Sequence, residues 1–184
     1  MQNDIDTLSA NQLVDELNRL GIHFLQGGTG RLSTAPMEPA LLVMKLASSD
    51  EARLRLALIP LLLQHPALAH DVRWVVMQLL PAAQVVLKCY YTAAQLLQQK
   101  YSIRLQALFG YPTPLPDLFM AELGLSALTT PDQGLQMLAE RHRRLSGRAI
   151  NWLGTYEHGA QRLLTHYERR QLWQKSPSVK SGPC

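Results

Sequence analysis

The chain has 184 residues, of which 47% are hydrophobic and 17% charged, and its net charge is +4. This length predicts one domain with a substantial core. Two cysteines are too few for a disulfide scaffold, and the acidic, polar N-terminus is unlike a signal peptide, so we expect a cytoplasmic protein. The longest strongly apolar run, residues 54–63, is too short to span a bilayer, which predicts no membrane segment.

The first part of the chain predicts two helices separated by a loop. Ser9–Gln12 has the pattern of a capping box, and the apolar helical stripe that follows it stops at Gly21. The Gly- and Pro-rich segment 26–39 is expected to be a flexible loop. A second helix is expected over residues 39–47.

A proline lies inside the next predicted helix. Ser48–Glu51 is a second capping box and predicts a helix over residues 49–64. Pro60 lacks a backbone donor and crowds the preceding turn, so we expect a kink or a break near Leu56. Another helix is expected over residues 67–80.

Residues 81–109 form the longest segment without a helix breaker. Its polar residues follow one narrow stripe of Gln84, Lys88, Gln95, Gln99, Ser102 and Gln106, and most other positions are apolar. A helix that is apolar over most of its circumference is buried on several sides. This segment is therefore predicted to be the long central helix.

Prolines and a third capping box divide the remainder of the chain. The proline-rich segment 111–116 cannot be helical and predicts an extended connector. A short helix is expected over 117–123. Thr130–Gln133 has the capping-box pattern with proline at the first helical position, and it predicts a helix ending near Arg144.

The last predicted helix covers about residues 148–174. Apolar residues recur along it at spacings of three and four, which predicts a seam that packs against the body: Ala149, Leu153, Tyr156, Ala160, Leu163 and Tyr167. Residues 176–184 are expected to be a disordered tail. The whole pattern predicts an all-α fold, a single-domain helical bundle of about six to eight helices over residues 1–175.

Positive charge is concentrated at the C-terminal end. Residues 141–180 carry nine Arg and Lys but two acidic residues, whereas the rest of the chain carries nine basic and twelve acidic residues. A basic C-terminal helix on a mildly acidic body favours an anionic partner.

One face of the last helix is predicted to bind that partner. The residues of this face recur at spacings of three and four, and every one of them can donate a hydrogen bond: Arg148, Asn151, Thr155, His158, Arg162, Thr165 and Arg169. Aligned arginines can bind carboxylates or phosphates with two hydrogen bonds each, although a merely solvated face fits the same pattern. The full candidate partner-binding set is Arg141, Arg143, Arg144, Arg148, Asn151, His158, Arg162, Arg169 and Trp173.

The sequence contains no recognisable catalytic, metal or cofactor motif. The segment Leu20–Gly28 resembles the helix and strand that lead into a nucleotidyltransferase core, and residues 55–66 are similar to segments of uncharacterised bacterial proteins. The paired acidic residues that a nucleotidyltransferase needs to hold magnesium are missing, so Gly27–Gly30 is interpreted as a flexible loop. His158 and His166 are roughly 12 Å apart along a helix, which is too far to share an ion.

Three functional hypotheses remain from the sequence. The first is a non-enzymatic interaction protein, such as a partner subunit, an adaptor or the neutralising half of a two-gene pair. Its basic helix would bind an acidic protein surface or a ribonucleoprotein partner, and a homo-oligomer is compatible with it. The second is a nucleic-acid-binding protein that contacts phosphates through the arginines. The third is an enzyme with a nucleotide site at residues 27–30.

Overall fold

The computed structural model describes residues 2–23, 25, 36–110, 112–125 and 130–175, with the backbone alone at residues 2–9 and 175. Most of the predicted loop at 26–39, including the glycines at 27–30, lies outside the described residues. Tyr111 and the predicted tail at 176–184 also lie outside them.

The described residues confirm the all-α class and contain no strand. The α-helices, in chain order, are α1 (Gln2–Arg19), α2 (Pro39–Ser48), α3 (Ala52–Leu56), α4 (Leu58–Gln64), α5 (Ala69–Gln78), α6 (Pro81–Lys100), α7 (Ser102–Phe109), α8 (Pro131–Ser146) and α9 (Trp152–Lys175). A single 3-10 turn, Pro66–Leu68, precedes α5. No helix in the described part of the chain is both long and apolar enough to cross a membrane.

Helix α1 begins earlier than predicted and ends where predicted. It starts at Gln2, so Ser9 lies inside the helix and is not its N-cap. Gly21 has a φ of 88°, and the amides of Gly21 and Ile22 donate to the carbonyls of Asn18 and Leu17. This is a Schellman motif, in which glycine supplies the left-handed backbone that closes the helix.

The helix predicted over 49–64 is divided into α3 and α4 directly after Leu56, as Pro60 indicated. The division places Pro60 in the first turn of α4, where its missing donor costs little. The capping box predicted at Ser48–Glu51 is wrong. Helix α3 starts at Ala52, and the Glu51 side chain makes no cap hydrogen bond to its backbone but pairs with the Arg53 side chain at 2.6 Å.

Helix α6 is central, as predicted, because it contacts α2, α4, α5, α8 and α9. It is shorter than predicted and stops at Lys100. Tyr101 leaves the helical conformation, with φ −102° and ψ 21°, and α7 begins at Ser102. At this break the Tyr101 hydroxyl donates to the Glu157 carboxylate of α9 at 2.5 Å.

The proline-rich connector is confirmed as non-helical over residues 112–116. The buried side chain of Gln98 holds it on α6, donating to the Thr113 carbonyl at 3.0 Å and accepting from the Leu115 amide at 2.7 Å. The short helix predicted over 117–123 is wrong. That segment is one hydrogen-bonded turn, closed by Gly124 at a φ of 70°.

The capping box of α8 is confirmed, because the Thr130 hydroxyl accepts from the Gln133 amide and the Gln133 side chain accepts from the Thr130 amide. Helix α8 ends at Ser146, and Gly147 is left-handed with a φ of 64°. The last helix then begins at Trp152 rather than at Arg148. From there α9 packs against α3, α4, α6, α7 and α8.

Candidate anion-binding surface on the last helix

The start of α9 is fixed by a side-chain cap. The Asn151 carboxamide oxygen accepts from the Gly154 amide at 2.9 Å, which satisfies one of the unpaired donors of the first turn. Asn151 is therefore a capping residue, and Arg148 lies in the connector before the helix. The prediction that Arg148 and Asn151 share a helical face with Arg162 and Arg169 is wrong.

The buried side of α9 agrees with the predicted seam inside the helix. Tyr156, Ala160 and Leu163 are fully buried, whereas Ala149 lies before the helix and is exposed. Gly159, which is not part of the predicted seam, also faces α3 and α4. A Cβ atom at this position would lie 3.0 Å from Leu56 and 3.3 Å from Ile59, so the absence of a side chain sets how closely α9 approaches α3 and α4.

Both acidic residues of α9 pair with the body. Glu168 receives two hydrogen bonds from the Arg104 guanidinium at 2.8 and 2.9 Å. Glu157 pairs with the Lys100 ammonium at 2.7 Å. Hydrogen bonds to carboxylates raise the pKa of Lys100, first through Asp132 and then through Glu157. The acids of α9 are thus neutralised along the edge that faces α6 and α7.

The arginines of α9 project to a different side. At 3.6 residues per turn, His158, Arg162, Thr165 and Arg169 fall within about 60° of one another. Glu157 lies about a quarter-turn away on the same helix. The helix therefore separates its bound acids from its basic side chains.

An open groove of about 570 Å³ runs along this basic side. It is lined by His158, Arg162, Arg169 and Trp173 of the candidate set and by Thr165 of the predicted helical row. Three further lining residues were missed by the prediction: Gln161, His166 and Arg170. No described acidic residue lines it. Arg169 and Arg170 are exposed and form no ion pair with another described residue.

His166 lies inside the groove. Burial lowers its pKa below the usual 6.5, and the nearby His23 and Arg170 lower the pKa further. The His23 and His166 rings are 5.9 Å apart, so the chain that follows α1 reaches the edge of the groove. His166 is therefore mostly uncharged at neutral pH, and the positive charge of the groove comes from its arginines.

Aromatic and aliphatic side chains are exposed at the C-terminal end of α9. Trp173 is 83% exposed and Leu172 is 67% exposed. Exposed tryptophan beside arginine is characteristic of protein interfaces, in which these two residue types often contribute most of the binding energy. The arginines of the groove thus lie next to exposed apolar surface at the end of α9.

The other predicted basic residues do not join this surface. Arg141 and Arg144 line a separate depression with Glu122 and Glu140, and Arg144 lies 3.6 Å from Glu140. Arg143 is exposed on α8 and does not line the groove. The nine candidate residues are therefore dispersed, because the turn at Gly147 and the connector after it separate α8 from α9.

Among the described residues we find neither a metal-binding cluster nor a reactive thiol. They include no group of three or more His, Cys, Asp or Glu side chains placed to hold a metal ion. Among the histidines, His65 lies 2.7 Å from the Leu20 carbonyl, within hydrogen-bonding distance. Burial raises the pKa of the Cys89 thiol to about 12, so this thiol stays protonated at neutral pH.

Comparison of the chain with protein-family models, with curated proteins and with solved structures finds no match.

Proposed function

We propose that the protein is a non-enzymatic interaction protein that binds an acidic segment of a partner protein in the groove along α9. The observation that carries this proposal is the separation of charge on that helix. Its two acids pair with Lys100 and Arg104, and no described acidic residue lines the groove, to which Arg169 and Arg170 contribute exposed guanidinium groups.

The exposed end of the helix favours a protein partner. Leu172 and Trp173 offer apolar surface next to Arg169 and Arg170. From His158 to Trp173 this surface is about 22 Å long, which matches about four turns of a bound helix. An acidic amphipathic segment would place its carboxylates on the arginines and its apolar side chains on Trp173.

Charge reversal of Arg169 and Arg170 tests the proposal. Arg169→Glu/Arg170→Glu is compared with Arg143→Glu/Arg144→Glu, which makes the same charge change at two exposed residues of α8 outside the groove. The probe is a fluorescent 15-residue amphipathic peptide with glutamates on one face and leucines on the other. We expect the α9 variant to weaken peptide binding at least tenfold, about 1.4 kcal/mol, and the α8 variant to retain it.

A fluorescent 20-nucleotide single strand provides the contrasting probe. Binding of this strand with a steep loss of affinity at higher salt, together with no binding of the peptide, would replace the proposal with phosphate recognition. Equal loss of peptide binding in the two reversal variants would show a general effect of net charge. In that case the α9 groove would be an ordinary solvated surface.

A further inference from the structure

A second cavity lies away from the α9 groove, where four segments of the chain meet. Its volume is about 360 Å³, which is within the range of small-molecule sites. The end of α2, the two residues after it and Arg55 of α3 form one side, and the first turns of α6 form another. The end of α8 and the connector to α9 complete it.

The floor of the cavity is a packed aromatic pair. The His142 and Trp152 rings stack with centroids 3.6 Å apart, and their side chains are 1% and 7% exposed. The Tyr156 hydroxyl lies 2.7 Å from His142 Nδ1 and holds the imidazole in place. Burial, with a smaller effect of Arg55, lowers the pKa of His142 to about 4, so the floor is uncharged at neutral pH.

Two arginines place positive charge at the cavity. The Arg55 guanidinium donates to the Ser49 carbonyl at 2.6 Å, which fixes the orientation of the side chain. Arg55 forms no ion pair with another described residue. Arg148 lines the same cavity from the connector, and its side chain is exposed. The acid that lines the cavity is Asp50, which is exposed, so the charged lining is positive on balance.

The start of α6 adds to this positive environment. Leu80 precedes the helix and provides no side-chain cap for the amides of Ala82 and Ala83. Both residues line the cavity. Unpaired amides at a helix start favour a bound anion, here next to Arg55 and Arg148.

Apolar side chains form the remaining wall. Val86 lines the cavity from α6, and Leu80 and Leu145 lie at its edge with 79% and 42% of their surface exposed. We propose that this cavity binds a small organic acid with an apolar or aromatic body. The carboxylate would contact Arg55 and the start of α6, and the body would cover the His142–Trp152 pair.

The binding test uses the tryptophan of the cavity as its reporter. Trp74 and Trp173 are 52% and 83% exposed, so Trp74→Phe/Trp173→Phe leaves Trp152 as the single tryptophan. In this background, 3-phenylpropionate should change the Trp152 fluorescence in a saturable manner. The neutral 3-phenylpropanol tests the carboxylate, and propionate tests the apolar body. Each of these two compounds should bind at least tenfold more weakly than 3-phenylpropionate.

Arg55→Met should raise the dissociation constant for 3-phenylpropionate at least tenfold without changing the response to 3-phenylpropanol. Arg55 also donates a hydrogen bond to the Ser49 carbonyl, so its replacement could prevent folding. In that case Arg148→Met is used, for which we expect at least a threefold increase in the dissociation constant.

Equal binding of all three compounds would overturn the proposal, and so would unchanged affinity in Arg148→Met. Tighter binding of inorganic phosphate than of 3-phenylpropionate would also overturn it. The result is independent of the α9 groove, since Arg169→Glu/Arg170→Glu leaves the cavity intact.

Discussion

Gly21 is the residue at which local backbone geometry and long-range packing meet. Its φ of 88° closes α1, and the carbonyls of Leu20 and Gly21 accept hydrogen bonds from distant elements. His65 contacts the Leu20 carbonyl at 2.7 Å, and the Tyr167 hydroxyl donates to the Gly21 carbonyl at 3.0 Å. Gln64 also donates to the Tyr167 hydroxyl, at 2.8 Å. The end of α1 is thereby fastened to α4 and α9.

Gly21→Ala should lower the free energy of unfolding by more than Gly147→Ala. Both positions have positive φ, at a cost of about 1–2 kcal/mol for alanine. A Cβ atom at Gly21 would also lie 2.6 Å from Gln64 and Tyr167 side-chain atoms, whereas nothing lies within 4 Å of one at Gly147. Urea unfolding of the two variants measures the difference. Equal losses would mean that the surroundings of Gly21 adjust freely to the added methyl group.

At the scale of the helices, α9 is the element that holds several others together. Its buried side packs on α3, α4, α6 and α8, and Glu157 and Glu168 pair with the residues around the break between α6 and α7. Gly159 permits the close approach to α3 and α4. The basic groove is presented on the remaining side, so packing and partner binding use different residues of one helix.

Gly159→Leu should destabilise the protein by about 1–3 kcal/mol, because the added side chain has no space against Leu56 and Ile59. His158→Leu introduces the same side chain at the adjacent exposed position, where a change within about 0.5 kcal/mol is expected. Thermal unfolding of both variants compares the two positions. A Gly159 variant as stable as the His158 variant would contradict the close packing of α9 on α3 and α4.

On the scale of the whole molecule, one continuous hydrophobic core contains buried residues from all of the described helices, and α6 lies at its centre. The core also contains a titratable group, because His142 is 1% exposed beside Tyr90, Trp152 and Tyr156. Its pKa of about 4 makes overall stability depend on pH.

The unfolded chain takes up a proton at His142 near pH 6.5, whereas the folded protein does so only near pH 4. The stability contributed by neutral His142 is therefore present above pH 6.5 and is lost as pH falls to 4, by about 3 kcal/mol in total. His142→Leu should lack this component of the slope, whatever its stability at pH 7. Urea unfolding at several pH values measures both slopes. Parallel curves for the two proteins would show that His142 is protonated equally in the folded and unfolded states.

The features that depend on residues close together in the chain were predictable from the sequence. The all-α class, the stop at Gly21, the break after Leu56, the capping box at Thr130 and the seam around Tyr156 all follow from local propensity and helical spacing. Four of the groove residues, His158, Arg162, Thr165 and Arg169, were also predictable, because spacings of three and four place them on one face of any helix. His166 and Arg170 were missed because they lie beside that row.

The way in which distant segments combine is visible only in the folded structure. The break at Tyr101, the pairing of Glu168 with Arg104 and the assignment of Arg148 to a second cavity each join residues far apart in the chain. Spacing predicts which residues share a helical face, but it does not determine which other elements that face contacts. The acids of α9 therefore could not be assigned to the body, nor its arginines to the groove, until the helices were placed in contact.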